Sequence, residues 1–327
     1  MCARARIYTL LYIMMYLGET ISLTVAVSWT VTALVAEVAS KRIGPQVLNV
    51  WRMVLSLVLL GATLWVVTGC PLPMYADQTT WLWLLGSGAV GYVFGDYCLF
   101  NSYLYMGSRW GQLFMTLAPV AASLAAWVMM GETLSLLVVA GIVITISGIA
   151  LSVLSKGGGD DSGRKGLSLK LPWKGVLCGI GAGVGQGVGL VLSKVGMEHY
   201  AACIPDGATD VADMMPFTAT MMRACAGLVG LFLILCLKGE VRRLPAALKD
   251  GKGMLCTVIA SVTGPFVGVS LSLMALLYTS AGVAQTLMSL TPIFILWPSH
   301  VFFHQKITVR EIIGAVICVC GVALFFV

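Results

Sequence analysis

Stretches of about 20 apolar residues follow one another along this chain, separated by short segments rich in polar residues and glycine. An α-helix of that length spans the hydrocarbon core of a bilayer. The pattern predicts ten membrane-spanning helices, at residues 18–40, 46–69, 80–105, 110–130, 133–154, 173–195, 216–238, 252–276, 280–302 and 306–327. The predicted fold class is therefore all-α and integral to a membrane.

Part of the sequence occurs twice. LYMGSRWGQLFMTLAPVA, residues 104–121, is answered 173 residues later by LYTSAGVAQTLMSLTPIF, residues 277–294, with six of eighteen positions identical. The same offset aligns Gly91 with Gly264 and Gly95 with Gly268. The second span of each half matches as well, with Arg52 facing Arg223 at an offset of 171. We therefore predict two copies of one five-helix unit.

The segment SKGGGDDSGRKGLSLKLP separates the two copies and is typical of a flexible linker. We divide the chain into a first repeat at residues 1–154, a cytoplasmic linker at 155–172 and a second repeat at 173–327. Residues 1–17 are left as an uncertain N-terminal extension. Because five crossings is an odd number, the second repeat enters the membrane from the opposite side. Ten helices arranged as two inverted repeats are a recurring plan of secondary transporters, with the substrate at the repeat interface.

Composition supports a membrane protein. The chain is 59% hydrophobic and 10% charged, whereas a soluble domain carries roughly 25% charged residues. The net charge of +6 arises from residues between spans or at their ends, so it does not indicate a nucleic-acid partner. No Cys/His cluster has the spacing of a zinc site, and we predict neither a metal nor a cofactor. The predicted partners are a small-molecule substrate and membrane lipid, and the oligomeric state stays open.

Orientation follows from the distribution of lysine and arginine, which favour the cytoplasmic side. With the N-terminus outside, sixteen of the 20 Lys and Arg residues lie on the inner side and four on the outer side. We therefore predict that both termini lie outside, in a membrane that we expect to be the bacterial inner membrane.

Ionisable residues within spans are costly, and each is a candidate for function. Asp96 lies well inside the third span, where its carboxylate serves a substrate, a proton or a structural hydrogen bond. Glu37 lies near the inner end of the first span and either faces a cavity or pairs with Lys41, while Trp29 either lines the cavity or packs. Arg52 and Arg223 are expected near opposite membrane surfaces, as gate ion pairs or contacts to an anionic group, or as interfacial anchors.

The repeated stretch adds two symmetric pairs of candidates. Gln112 and Gln285 lie in the first turns of otherwise apolar spans and either bind substrate or hydrogen-bond to neighbouring helices. Pro119 and Pro292 release backbone carbonyls about one turn earlier, so we expect them to kink helices beside the cavity.

The order of these stretches resembles the drug/metabolite transporter superfamily, in its ten-span EamA branch. The carrying segments are AVSWTVTALVAEVASKRIGP and GDYCLFNSYLYMGSRWGQLFMTLAPV in the first half, with ALLYTSAGVAQTLMSLTPIF and IIGAVICVCGVALFF in the second. The resemblance covers nearly the whole chain. It implies export or exchange of small metabolites, often amino acids or related compounds, without identifying one of them.

The leading hypothesis is a secondary transporter that works by alternating access between the inverted repeats, with Asp96 or Glu37 as candidates for proton coupling. A facilitator without coupling stays open. A non-transporting scaffold or receptor is the main alternative. A membrane enzyme is less favoured, because the three histidines lie in loops or near span ends without a metal-binding motif. No nucleotide-binding loop is present, so direct drive by ATP is not expected.

Overall fold

The structure is a computed structural model, and it describes residues 16–131, 135–156, 167–169, 171–279, 281–304 and 307–324. The described residues are helical almost throughout, which confirms the all-α prediction. The predicted N-terminal extension lies outside the described residues, except for Tyr16 and Leu17.

The first half forms seven α-helices and one π-helical segment. In chain order they are α1 (Leu17–Ile43), α2 (Pro45–Thr68), α3 (Gln78–Gly88), the first π segment (Ala89–Asp96), α4 (Tyr97–Met106), α5 (Ser108–Met115), α6 (Leu117–Met130) and α7 (Leu136–Val153). The third predicted span is thus one helical rod whose middle is π-helical, and the fourth is divided at Thr116.

The second half repeats this order with short additional helices between its spans. The elements are α8 (Trp173–Cys203), α9 (Thr209–Asp213), α10 (Met215–Leu237), α11 (Arg243–Ala247), α12 (Gly251–Ser261), the second π segment (Val262–Val269), α13 (Ser270–Tyr278), α14 (Ala281–Met288), α15 (Thr291–Phe294), α16 (Leu296–Phe303) and α17 (Val309–Ala323).

Eight helices are long and apolar enough to cross a membrane: 17–43, 45–68, 108–129, 136–153, 173–203, 215–237, 251–275 and 286–303. The third and tenth predicted spans are helical at 78–106 and 309–323 but are not among these eight. The third is the more polar, because it carries Asp96, Asn101 and Ser102 in its second half.

The linker differs from its prediction at both ends. Leu154–Lys156 (β1) and Leu167–Leu169 (β2) form a short antiparallel ladder in which Leu154 is opposite Leu169. Alternation of Leu and Ser in β2 fits the two-residue period of a strand. The predicted flexible linker 155–172 therefore begins and ends near paired backbone, and its middle, residues 157–166, lies outside the described residues.

Helix α8 extends beyond the predicted end of the sixth span. It continues to Cys203, whereas the hydrophobic pattern ends near residue 195. Tyr200 explains the extension, because its side chain is fully buried and its hydroxyl donates to the carbonyl of Met74 at 2.7 Å. That contact fixes the last turns of α8 to the loop before α3.

The two halves exchange their first helices. Helix α1 packs against α12, the second π segment and α13, while α8 packs against α3, the first π segment, α4 and α6. Helices α2 and α10 pack on each other, as do α7 and α17. The contact between the halves is therefore the centre of the molecule, as expected for repeats that fold around each other.

The π segments occupy equivalent places in the two repeats. The first begins at Ala89 and the second at Val262, an offset of 173 residues, and each contains eight residues. Both carry the aligned glycines of the repeat. The backbone of Gly91 approaches Gly189 and that of Gly95 approaches Gly185, so closely that a Cβ at Gly185 would lie 2.7 Å from the Gly95 Cα. This confirms the close helix contact predicted for Gly91 and Gly95.

Candidate functional site

A cavity of about 160 Å³ lies between the two halves of the molecule. One water molecule occupies about 30 Å³ in the liquid, so the space is large enough for a small metabolite. Residues from both repeats line it: Trp29, Thr32, Arg52, Tyr92, Asp96, Leu99, Phe100, Tyr103, Gln112, Met115, Thr116, Ala118, Pro119, Gln186, Leu190, Arg223, Gly264, Pro265, Val269, Ser272, Leu273, Met288, Ser289, Thr291 and Pro292. Most of this lining is apolar, and the polar groups are concentrated around three charged side chains.

Asp96 is the carboxylate of the lining, and both its oxygens are engaged. Oδ2 forms an ion pair with Nη2 of Arg52. Oδ1 accepts a hydrogen bond of 2.8 Å from Nε2 of Gln186. The two charged side chains are 4% and 5% exposed. A buried charge pair is stable only when its remaining hydrogen-bonding capacity is satisfied, and Gln186 supplies that for Asp96.

Asp96 stands at the end of the first π segment, where the chain passes into α4. π-helical turns are rare and occur often at functional sites. The amide of Gln186 also donates to the carbonyl of Gly91 at 3.1 Å, so the same side chain fixes both ends of this segment to α8. The guanidinium of Arg52 is held from its other side by Phe100, whose ring centre lies 4.5 Å from Cζ.

Arg223 enters the cavity from α10 without a carboxylate partner. It is 3% exposed and its Cζ lies 4.9 Å from the ring centre of Tyr92, a cation–π contact. Within the described part of the chain its guanidinium makes no hydrogen bond or ion pair, and its Nε is buried without a partner. Arg52 and Arg223 are thus both buried beside the cavity, which excludes the alternative that they anchor the helices at the membrane surface.

Trp29 and the first glutamine of the repeat also reach the lining. Trp29 packs against the second π segment, where a Cβ at Gly268 would lie 2.7 Å from its Nε1. Gln112 donates to the hydroxyl of Tyr103 at 2.7 Å. The side chain of Gln285 lies outside the described residues, and only its place in α14 is known.

Pro119 and Pro292 line the cavity from equivalent places in the two repeats. Each lies in the first turn of a helix that follows a break, at Thr116 in the first repeat and at residues 289–290 in the second. Proline fits the first turn of a helix, where its missing N–H costs nothing. The breaks therefore lie where the sequence led us to expect kinks.

Glu37 does not line the cavity. Its carboxylate is fully buried, accepts a hydrogen bond of 2.6 Å from the backbone N–H of Ser108 and pairs with Lys41. It therefore stabilises the N-terminus of α5, where unsatisfied N–H groups favour a negative charge. The pairing with Lys41 was one of the two sequence-based alternatives, and the cavity position was the other.

Two lining residues were missed by the sequence analysis. Gln186 is the one strongly polar residue within the glycine-rich stretch GIGAGVGQGVGL of α8, and that isolation is a usable signal. Tyr92 offered no such signal, because an aromatic residue in an apolar span is ordinary. Among the described residues no group of three or more His, Cys, Asp or Glu side chains is placed to hold a metal ion.

Comparison with known proteins places this architecture in a family. The model of the EamA-like transporter family matches residues 16–154 and again residues 173–327. A solved structure described only as "Crystal structure of protein" is similar over 94% of this chain and 95% of its own, with a TM-score of 0.56 and 17% identity, which shows a shared fold. No curated protein matches the chain. Members of the matching family are membrane transporters of the drug/metabolite transporter superfamily and are not enzymes. Because that match covers both five-helix halves, this chain belongs to the EamA-like transporter family.

Proposed function

We propose that the protein is a secondary transporter that exports a small metabolite, an amino acid or a related compound, by alternating access between its inverted repeats. The observation that carries the proposal is the cavity between the halves, lined by both of them and containing a buried Arg52–Asp96 pair. Ionisable groups are retained at membrane depth where they face a substrate or ion pathway. Export is the direction that the family resemblance favours.

The breaks beside the cavity support the alternating part of this proposal. Thr116 and residues 289–290 interrupt the helices that carry Pro119 and Pro292, and each π segment lies opposite the cavity. Hinges of this kind allow one end of a helix to move while the other stays packed. The two repeats would then expose the same cavity to one side of the membrane and afterwards to the other.

Asp96 is the residue that we propose for proton coupling. It is the one carboxylate among the described lining residues, and its charge balances Arg52. Protonation of Asp96 would remove the ion pair and leave the guanidinium of Arg52 facing the cavity. A substrate that binds one protonation state better than the other is thereby linked to proton movement.

Reconstitution in proteoliposomes tests the proposal. A panel of small metabolites is presented with and without a pH gradient, and uptake or release is followed for the native chain and for Asp96→Asn. We expect transport of at least one compound, and we expect its dependence on the pH gradient to be lost in the variant. Absence of transport for every compound, with correct insertion verified, would contradict the transporter. An unchanged pH dependence in Asp96→Asn would remove Asp96 as the coupling residue.

A further inference from the structure

We propose that the cavity selects organic anions, and that the substrate is a small carboxylate with an apolar body bound through Arg223 and the hydroxyl of Tyr92. The inference rests on the transport function proposed above and names the substrate class for the same cavity.

The first observation is that two buried hydrogen-bond donors face this part of the cavity without an acceptor. Arg223 is 3% exposed and Tyr92 is 2% exposed, and both line the cavity. Within the described residues the Tyr92 hydroxyl and the Arg223 Nε have no hydrogen-bond partner. Leaving a buried charged donor unsatisfied is costly, and a carboxylate is the group that a guanidinium binds best, through two parallel hydrogen bonds.

The second observation is a break in the symmetry of the repeats. Each arginine reaches the equivalent glycine of the opposite π segment. Nη2 of Arg223 lies 3.0 Å from a Cβ built on Gly91, and Nη1 of Arg52 lies 3.6 Å from a Cβ built on Gly264. The environments of the two guanidinium groups therefore correspond, as the inverted repeat requires.

The carboxylate does not correspond. Asp96 ends the first π segment, and the residue that ends the second, 173 positions later, is Val269. Val269 also lines the cavity. The repeat thus gives Arg52 an internal carboxylate and gives Arg223 an aliphatic side chain at the equivalent place. A carboxylate carried by the substrate would supply the missing half of the second pair.

The charges and the surface of the cavity support this choice over a zwitterion. The described lining holds two guanidinium groups and one carboxylate, which is already bound on both oxygens by Arg52 and Gln186. The excess positive charge attracts an anion and disfavours an ammonium group. The remaining walls include Leu99, Met115 and Leu273, which suit an apolar body.

Binding to the full chain in detergent tests the inference without requiring transport. The probes are matched acids and amides, from acetate and acetamide to phenylacetate and phenylacetamide, and the readout is the dissociation constant at neutral pH. We expect at least one acid to bind more tightly than its amide. Loss of one charge-assisted site is expected to weaken that acid by about 10- to 100-fold in Arg223→Gln, with a smaller loss in Arg223→Lys.

A matched pair of variants at the symmetric position sharpens the test. Val269→Asp places a carboxylate where the first repeat has Asp96, so it should pair with Arg223 and abolish the preference for acids. Val269→Asn has nearly the same shape without the charge and should keep that preference. This pair keeps the proposal open to contradiction even where Arg223→Gln does not fold.

Three results separate this inference from the proposed function. Equal binding of acids and amides by the native chain, or a preference for acids that survives in both Arg223→Gln and Val269→Asp, would overturn the anion site. Transport of neutral compounds or zwitterions in proteoliposomes, with no preference for acids, would overturn the substrate class while leaving a transporter. Binding of acids that depends on Arg223, without transport of any compound, would support the site and contradict the proposed function.

Discussion

The ion pair between Arg52 and Asp96 is the costliest pair of side chains in the molecule to disturb. Both groups are buried, and each is satisfied mainly by the other and by Gln186 or Phe100. Removing one member of such a pair leaves the second charge buried and unpaired, which typically costs about 3–5 kcal/mol, whereas removing both costs much less.

We therefore predict that Arg52→Gln lowers the free energy of unfolding by about 3–5 kcal/mol, and that adding Asp96→Asn restores much of the loss. Unfolding in detergent, followed by circular dichroism, measures both variants. Arg243→Gln is the control, because Arg243 is 63% exposed in its pair with Glu240 and exposed pairs contribute about 0–1 kcal/mol. A double variant as unstable as Arg52→Gln alone would contradict the prediction.

Single residues also show how far the sequence alone can lead. Polarity within an apolar span identified Asp96, Arg52 and Arg223 as candidates, and the structure brings all three to one cavity. The same criterion selected Glu37, which instead caps α5. Polarity gives the depth of a residue in the membrane, while its direction depends on which helix lies beside it, and that is a property of tertiary packing.

Among the elements, α7 and α17 make the closest helix contact between the repeats. Their backbones meet at small residues, and a Cβ built on Gly314 would lie 1.9 Å from Oγ of Ser152 and 2.7 Å from the carbonyl oxygen of Gly148. Small residues allow helices in a membrane to approach closely, where dispersion rather than the hydrophobic effect holds them together.

We predict that Gly314→Ala destabilises the protein by about 1–3 kcal/mol, the usual cost of overpacking a tight contact. The measurement is the free energy of unfolding in detergent. Gly86→Ala is the matched control, since Gly86 is also within a helix but a Cβ there would meet no atom within 4 Å. Equal effects of the two substitutions would show that helix propensity, rather than the contact between α7 and α17, decides the outcome.

The start of α12 gives a pH-dependent contribution to stability outside the membrane. Asp250 precedes this helix, accepts a hydrogen bond of 3.0 Å from the N–H of Gly253 and is bound by Arg42 at 2.8 Å. The hydrogen bond from Arg42, followed by that from Gly253, lowers the pKa of Asp250 below its usual value of 3.8. Because the folded protein has the lower pKa, this stabilisation is present above the usual value and is lost as the pH falls through the folded one.

We accordingly predict that Asp250→Ala lowers the melting temperature at pH 7, and that the difference from the native chain shrinks below about pH 4. Asp250→Asn separates the two contributions, because asparagine still caps a helix but cannot form the ion pair with Arg42. Its melting temperature is expected to lie between those of the native chain and the alanine variant. A difference between the native chain and Asp250→Ala that is independent of pH would contradict a role for the charge.

The π segments mark the limit of prediction at the scale of elements. The hydrophobic pattern predicted the third and eighth spans, and the offset of 173 residues aligned them correctly. It did not predict that residues 89–96 and 262–269 are π-helical. A run of apolar residues and glycines fits an α-helix and a π-helix equally, so the choice between them is made by contacts such as that of Gln186 with Gly91 and Asp96.

For the whole molecule, the internal repeat was the most informative part of the sequence. It predicted two halves with matching elements, and the exchange of α1 and α8 between the halves explains why the pattern was readable. Each helix must fit the same kind of partner twice, so glycines and prolines recur at equivalent positions. The position of the molecule across the membrane is a separate matter, because it depends on charges outside the helices.

The loops on either side of α10 provide the sharpest contrast of charge. The segment before it, residues 204–214, contains three aspartates and no lysine or arginine, whereas residues 238–252 after it contain five basic residues. Since basic loops stay on the cytoplasmic side, we predict that the first segment lies outside and the second inside. This is the orientation in which both termini lie outside.

Two single-cysteine variants in a background without other cysteines test the prediction in intact bacteria that express the protein. Asp206→Cys and Lys249→Cys replace exposed residues on opposite sides of α10. A membrane-impermeant maleimide should label Asp206→Cys directly and should label Lys249→Cys only after the cells are permeabilised. The reverse result would invert the orientation of the whole molecule. Labelling of both without permeabilisation would contradict a single crossing by α10, and with it the inverted arrangement from which the paired arginines derive their symmetry.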